Sequence, residues 1–176
     1  LASDGVNYES FGSSIAISGD TVLVGAASGW SQQIGDAFGS AYLFDISTPS
    51  APIQLAKLTA NDGAAGDNFG MSVAINDNTA VIGAWNDDDQ GDWSGSVYLF
   101  DISTPSAPVQ SAKLLASDGE AYDRFGRSVA INDNTVIIGA NGSAYLFDAA
   151  TGSELAAFTG SGVQGWHGFG SSVSIS

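Results

Sequence analysis

An acidic stretch, WNDDDQGDWSG at 85–95, holds the densest group of residues that could do chemistry. Its carboxylates have no basic residue among them. Calcium binds about six to eight oxygen ligands, and closely spaced carboxylates supply them while the cation relieves their mutual repulsion. We therefore expect Asp87, Asp89 and Asp92 to bind Ca2+ if the loop curls around Gly91. The alternative is a solvated acidic loop tip, and the sequence leaves both open.

A second acidic feature recurs along the chain. Two acids spaced five residues apart precede three Phe-Gly dipeptides: Asp4 and Glu9, Asp62 and Asp67, Asp118 and Asp123. Asp before Gly favours turns in which the carboxylate accepts hydrogen bonds from nearby backbone N–H groups. We interpret these acids as turn devices, and a pair of metal ligands is the alternative.

Residues suited to catalysis are scarce. His167 is the only histidine, it lies beside Trp166, and the chain has no cysteine. Neither G-x-S-x-G nor H-E-x-x-H occurs. GSGVQG at 160–165 fits G-x-G-x-x-G, but a loop and a predicted strand follow it where a dinucleotide site requires a helix. The sequence predicts a protein that is not an enzyme; a carbohydrate-active enzyme working through paired carboxylates is the alternative.

The charge balance restricts the partners. The 176 residues include 4 basic and 19 acidic ones, which gives a net charge of −15. Nucleic acid and anionic membranes would be repelled, whereas cations or neutral glycans are compatible with such a surface. No apolar run approaches the roughly 20 residues that a membrane helix needs, so we expect no membrane insertion.

The elements that must position these residues repeat along the chain. A first run, F-G-x-S-[IV]-[AS]-I, begins at Phe11, Phe69, Phe125 and Phe169. Three more runs follow in constant order: TVLVGA, TAVIGA and TVIIGA; GSAYLFD, GSVYLFD and GSAYLFD; IQLAKLTA, VQSAKLLA and ELAAFTG. Short runs rich in Val, Ile, Tyr and Phe between turn residues are typical of β-strands. The sequence predicts an all-β fold built from four-stranded antiparallel meanders.

The hydrophobic pattern indicates how these sheets are arranged. Runs such as TVLVGA are apolar at successive positions, which is typical of strands buried on both faces. Sheets stacked as β-propeller blades have that environment. The small residues of the first run suit an inner strand, and we expect each Phe of an F-G pair to wedge between neighbouring blades. The short connections SGD and NDN predict tight hairpins. A β-solenoid or a sandwich is the alternative.

The F-G pairs, with VGAA, IGAW and IGAN where the family has G-A-P, resemble the FG-GAP repeat family of bacterial and integrin-α-like β-propellers. The resemblance covers nearly the whole chain. It implies a secreted or cell-surface propeller used for adhesion or as a scaffold, often with calcium bound in loops. In the integrin-like members the calcium loop lies between the first two strands of a blade. Here that connection is too short to wrap a cation, which leaves the loop at 85–95 as the candidate.

About three complete blades are predicted, with partial strands at both ends. Blade 1 covers residues 11–60, blade 2 covers 61–116 and blade 3 covers 117–160. Residues 1–10 are predicted to be the tail of a preceding blade and a connecting loop, and residues 161–176 a loop and the first strand of a further blade. Closed propellers usually have about four to eight blades, so we expect either a longer repeat chain or a neighbouring subunit joined by strand addition.

The function predicted from these patterns is a non-catalytic extracellular or cell-surface module for adhesion or scaffolding. Its expected partners are other copies of the same blade, and a protein or glycan ligand on its variable loops. A self-assembling extracellular fibre subunit is the first alternative, and the carbohydrate-active enzyme is the second.

Overall fold

A computed structural model describes residues 9–28, 38–160 and 168–176. Within them the chain forms three four-stranded antiparallel sheets. The first sheet contains β1 (Glu9–Ser18), β2 (Thr21–Ser28), β3 (Ser40–Asp45) and β4 (Ile53–Leu58). The second contains β5 (Ser72–Asn76), β6 (Thr79–Ala84), β7 (Ser96–Asp101) and β8 (Val109–Leu114). The third contains β9 (Ser128–Asn132), β10 (Thr135–Gly139), β11 (Ser143–Asp148) and β12 (Glu154–Thr159). Each sheet keeps the chain order of its strands, so the predicted meanders and the all-β class are confirmed.

The first two strands of each sheet are joined by two-residue turns. Asn76 pairs with Thr79 across the turn in the second sheet, and Asp77 between them has φ of 46°. Asp133 has φ of 48° at the matching place in the third sheet. Asp adopts this left-handed conformation more readily than most residues, and in SGD the residue at that place is Gly19, with φ of 55°, so both connections close tight hairpins.

Wherever two of these sheets are neighbours, their facing surfaces are buried against each other. We call the face towards the preceding sheet the front face and the opposite one the back face. Leu23, Leu43 and Leu58 on the back of the first sheet belong to one apolar cluster with Phe69 and Ile82 on the front of the second. A second cluster joins the back of the second sheet to the front of the third. The sheets are therefore blades of a β-propeller, and Phe69 is wedged between two of them as the sequence predicts.

The first strands lie side by side, β1 against β5 and β5 against β9. Serine hydroxyls join them: Ser14 Oγ donates to the carbonyl oxygen of Gly70 at 2.8 Å, and Ser72 Oγ donates to that of Gly126 at 2.6 Å. A Cβ on Gly25 would overlap the Gly70 carbonyl, so the glycine of VGA permits this close approach. The repeated F-G, Ser and G-A positions are thus the contacts at which one blade meets the next.

The two ends of the described chain differ from the interior. Phe11 pairs with Ala26 inside β1, whereas Phe69 precedes its strand and forms a bridge with Gly39 of the preceding blade. At the other end, the carbonyl of Gly170 accepts a hydrogen bond from Ser128 Oγ at 2.9 Å, as those of Gly70 and Gly126 do from Ser14 and Ser72. Residues 169–176 form turns and irregular chain rather than a strand, because a strand needs a neighbour with which to form a ladder. That they begin a further blade stays a prediction.

No helix in the described residues is long and apolar enough to cross a membrane.

Candidate functional site

The acidic loop, residues 85–95, leaves β6 and returns to β7 as a compact set of turns. Its two ends are tied together because Gly95 N donates to the carbonyl oxygen of Asp87 at 2.8 Å. Asp87 Oδ1 accepts a hydrogen bond from Asp89 N at 3.2 Å, and Gly91 has φ of 122°. The loop therefore curls around Gly91 as the calcium hypothesis requires.

A lysine occupies the centre of the carboxylates. Lys113 Nζ lies 2.6 Å from Asp89 Oδ2, 3.1 Å from Asp87 Oδ2 and 2.8 Å from Asp62 Oδ2. The same ammonium sits 5.2 Å from the centre of the Tyr98 ring, which is its cross-strand neighbour. One ammonium thus joins the acidic loop, the segment before β5 and the fourth strand of the second blade.

Burial strengthens the interactions between Lys113, Tyr98 and the carboxylates around them. Asp87 is buried and its Oδ2 accepts a hydrogen bond from the Tyr98 hydroxyl at 2.9 Å. Burial raises the pKa of Tyr98 well above its ordinary value, so the phenol remains a donor. Burial alone would lower the pKa of Lys113, but hydrogen bonds to Asp62 and Asp89 raise it above its ordinary value. The site therefore holds a permanent cation among its carboxylates.

This arrangement bears on the predicted calcium ligands. The structure brings Asp87 and Asp89 together around Lys113, while the side chain of Asp92 is exposed. In the part of the chain that is described, no group of three or more His, Cys, Asp or Glu side chains is arranged to hold a metal ion. Calcium binding by Asp87, Asp89 and Asp92 stays a prediction, and it requires the ammonium to leave.

The recurring acid pairs divide into two roles. The second acid supports a turn in the two pairs whose side chains are described, since Asp67 Oδ2 accepts a hydrogen bond from Ala64 N at 2.6 Å and Asp123 Oδ2 accepts one from Glu120 N at 2.7 Å. These two contacts agree with the turn interpretation. The first acid reaches the third strand instead: Asp118 Oδ1 accepts a hydrogen bond from the Tyr145 hydroxyl at 2.9 Å. Asp62 binds Lys113 in the equivalent place.

Asp67 is the most perturbed carboxylate among the described residues with a resolved shift. It is buried, and burial raises its pKa to about 6 from an ordinary 3.8. The hydrogen bond from Ala64 N opposes the increase, while the charges of Asp87 and Asp88 add to it. The carboxylate is therefore held in its ionised form at neutral pH at a cost to the fold.

A second cluster lies where the acidic loop meets the segment that enters β9. We call Trp85, Trp93, Tyr122 and Arg124 the tryptophan–arginine cluster. The Arg124 guanidinium carbon lies 4.7 Å from the centre of the Trp85 ring and 5.3 Å from that of Trp93. Tyr122 meets Trp93 edge to face, with ring centres 5.7 Å apart. A cation between two indole rings is stabilised by their electron-rich faces, so the cluster is a stack of side chains spanning two blades.

Comparison with known proteins agrees with the blade architecture. The FG-GAP repeat matches the chain at residues 1–44, 53–100 and 108–154.

The chain belongs to the FG-GAP repeat family.

No curated protein matches it.

Two solved structures resemble this FG-GAP chain. Saccharomyces cerevisiae Sqt1 superposes with a TM-score of 0.56 at 14% identity, over 84% of this chain and 35% of that one. A chain of the mitotic checkpoint complex superposes with a TM-score of 0.52 at 14% identity, over 80% of this chain and 34% of that one. The FG-GAP chain thus spans about a third of the length of either. At such low identity the likeness concerns the fold alone.

Two features of these FG-GAP repeats escaped sequence reasoning. The Lys of AKL faces the Tyr of YLF in both blades that have it, Lys57 with Tyr42 and Lys113 with Tyr98, and that recurrence was the available signal. The tryptophan–arginine cluster left no such signal, because its members come from two blades.

Several predicted features lie outside the described residues. These are Asp4, Trp166, His167 and most of GSGVQG. Glu9 belongs to β1, but its side chain is not described. The absence of a catalytic role stays a prediction.

Proposed function

We propose that the chain is a non-catalytic, extracellular or cell-surface propeller segment that serves as an adhesion or scaffold module. Its two end faces are covered by further blades of the same kind, and its loops carry the binding role. The observation that carries this proposal is the exposure of both end faces, at positions that are buried or half-buried where two described blades meet.

The front face of the first blade provides half of this observation. Ile17 is 61% exposed, whereas Ile75 at the same position of the second blade is 8% exposed against the first. Ile15 is 65% exposed beside it. Exposed aliphatic side chains grouped on one strand mark a surface that is normally covered.

The back face of the third blade provides the other half. Phe158 is 46% exposed, whereas Leu58 and Leu114 at its position in the other blades are 1% and 2% exposed. An open cavity of about 540 Å3 lies there, lined by Ile137, Phe158 and Phe169 among others. The docked Phe169 and Gly170 cover only part of this face, and a complete blade would cover the rest.

The two open faces are copies of the two faces that meet inside the chain. The back of one molecule is therefore suited to the front of another, as a head-to-tail contact. A second copy can supply the covering blades as well as a longer chain can, and repeated head-to-tail contacts produce rings or fibres. This favours the self-assembling fibre subunit as the second candidate function.

Sedimentation velocity over a wide range of concentrations tests the covering of the end faces. We expect the mass to rise with concentration, and Ile17→Asp or Phe158→Asp to abolish the rise, since each places a charge in the contact. A mixture of these two variants should form a dimer and stop there, because it retains one intact front and one intact back. Val109→Asp is the matched control, since Val109 is 64% exposed at the start of β8.

A monomer at every concentration would overturn the self-assembling candidate and leave covering blades from the same chain. A mixture of the two variants that remains monomeric would overturn the head-to-tail geometry. Incubation with a panel of soluble polysaccharides tests the non-catalytic part of the proposal, and reproducible release of reducing ends would contradict it.

A further inference from the structure

The tryptophan–arginine cluster is built from two segments that backbone hydrogen bonds hold side by side. Tyr122 N donates to the carbonyl oxygen of Asp92 at 2.7 Å, and Arg124 N donates to that of Trp93 at 3.0 Å. The acidic loop and the entry to β9 therefore form one surface on the rim of the second and third blades. Loops on a rigid frame are where propellers vary their binding residues.

The backbone of this surface is left-handed at three residues that are not glycine. Trp93, Tyr122 and Arg124 have φ of 56°, 72° and 52°, a region that L-residues seldom adopt. At the position of Tyr122 the preceding repeat has Gly66, with φ of 101°. Tyr122 replaces a residue suited to this turn, yet its side chain is 56% exposed and gains little from burial. Asn68 has φ of 59° at the position of Arg124, so the turn itself requires that conformation there, whereas Tyr122 adopts it in place of a glycine. Backbone outliers of this kind cluster at functional sites.

The blade junction does not need the cluster. At the junction of the first and second blades, Ala27, Gly66 and Asn68 stand where the second junction has Trp85, Tyr122 and Arg124. The F-G docking and the apolar core are the same at both junctions. The aromatic residues are therefore an addition to the fold rather than a part of it.

We propose that Trp93, Tyr122, Asp88 and Asp92 form a binding site for an uncharged sugar unit of a glycan. The exposed Tyr122 ring stacks against the C–H face of a pyranose, and Trp93 supports it by an edge-to-face contact. Asp88 and Asp92 are exposed and accept hydrogen bonds from sugar hydroxyls. This deepens the binding role proposed above by naming the ligand class and the site.

Electrostatics selects the uncharged ligand. The Arg124 guanidinium already lies over both Trp85 and Trp93, so a cationic side chain finds those ring faces occupied. Arg124 and Arg127 are the basic groups beside the site, but the carboxylates of the acidic loop line it and the chain carries a net charge of −15, so a sulfated glycan or a phosphate group is disfavoured. A neutral polyhydroxylated ring has an apolar face for the aromatic rings and donors for the carboxylates.

A glycan array probed with the whole chain tests this proposal, with neutral oligosaccharides, sulfated glycans and a Lys/Arg-rich peptide on the same surface. We expect binding to a subset of the neutral oligosaccharides alone. Tyr122→Gly restores the residue that the preceding repeat has, so the variant should melt at the same temperature or higher. It should nevertheless lose at least tenfold in affinity for the best neutral oligosaccharide, measured by titration calorimetry.

Val109→Ala is the matched control, an exposed apolar side chain on another part of the second blade. Asp92→Asn should weaken binding without altering the melting temperature. Absence of binding to every neutral oligosaccharide, or binding that survives Tyr122→Gly, overturns the site. Binding confined to sulfated glycans or to the basic peptide overturns the ligand class. Sedimentation of the same samples reports on the end faces separately, so the two proposals fail independently.

Discussion

At the scale of the residue, Lys113 is the cation that holds the acidic loop. Lys113→Met keeps the apolar stem over Tyr98 but removes the charge that neutralises buried Asp87. Loss of one partner of a buried pair costs about 3–5 kcal/mol, and solvent around Asp62 and Asp89 screens part of that. We expect the free energy of unfolding to fall by about 2 kcal/mol, measured by urea denaturation. Asp92→Asn, an exposed acid of the same loop, should leave it unchanged, and equal losses in both variants would contradict the special role of Lys113.

The same variant tests the calcium hypothesis. In Lys113→Met the carboxylates of Asp87 and Asp89 lose their resident cation, and a divalent ion relieves the repulsion that results. We expect calcium to raise the Tm of Lys113→Met more than that of the unmodified protein, measured by calorimetry with and without calcium. Adding Asp89→Ala should abolish the rise. A Tm that is independent of calcium in every variant would contradict calcium binding and support a solvated acidic loop held by Lys113.

Asp67 should make stability depend on pH. Its pKa is about 6 in the folded chain against an ordinary 3.8, so between these values the folded state binds more protons than the unfolded state. The contribution of Asp67 to stability is then greatest below about pH 4 and falls as pH rises towards 6. The loss is at most about 3 kcal/mol. Asp67→Asn keeps an oxygen that can accept the hydrogen bond from Ala64 N but cannot ionise. In urea titrations, the free energy of unfolding of this variant relative to the unmodified protein should therefore increase from pH 4 to pH 7. A difference that stays constant with pH would contradict the raised pKa.

Residue chemistry was only partly readable from the sequence. The turn role of Asp67 followed from its place before F-G, because the carboxylate bonds to backbone within three residues. The role of Asp62 did not, because its partner lies 51 residues away on β8. Cross-strand register is needed to know that Lys113 faces Tyr98. The left-handed backbone at Tyr122 could not be predicted either, because tyrosine seldom adopts that conformation and nothing in the sequence marks the turn.

At the scale of the element, the F-G pair joins one blade to the next, and the chain offers a matched test. Gly12 and Gly70 have nearly the same φ, 88° and 89°, but a Cβ on Gly12 would meet no atom within 4 Å, while one on Gly70 would overlap the Ser40 carbonyl. Gly12→Ala should cost about 1–2 kcal/mol, the price of left-handed backbone alone. Gly70→Ala should cost several kcal/mol more in urea denaturation, because the blades must separate to admit the methyl group. Equal costs would mean that the close approach contributes nothing.

The strands themselves could be predicted because each run recurs at least three times in the same order. The order of four runs per unit fixed the meander, and runs that are apolar at successive positions indicated that both faces are buried. The segment at 169–176 shows the limit of that reasoning. Its sequence matches the first run, and Phe169 and Gly170 dock as the other F-G pairs do. It forms no strand, since a strand depends on a partner as well as on its own residues.

At the scale of the whole molecule, head-to-tail association must bring together two chains that each carry −15. Four basic residues against 19 acidic ones leave little opposite charge for a complementary contact, so the apolar end faces act against a general repulsion. Salt screens this repulsion, with a Debye length of about 10 Å at 0.1 M and about 3 Å at 1 M, while it leaves apolar contacts in place. We therefore expect the association measured by sedimentation velocity to strengthen as sodium chloride is raised, and the Ile17→Asp variant to remain monomeric throughout. Oligomers that dissociate on addition of salt would show that ion pairs, rather than the exposed blade faces, hold the copies together.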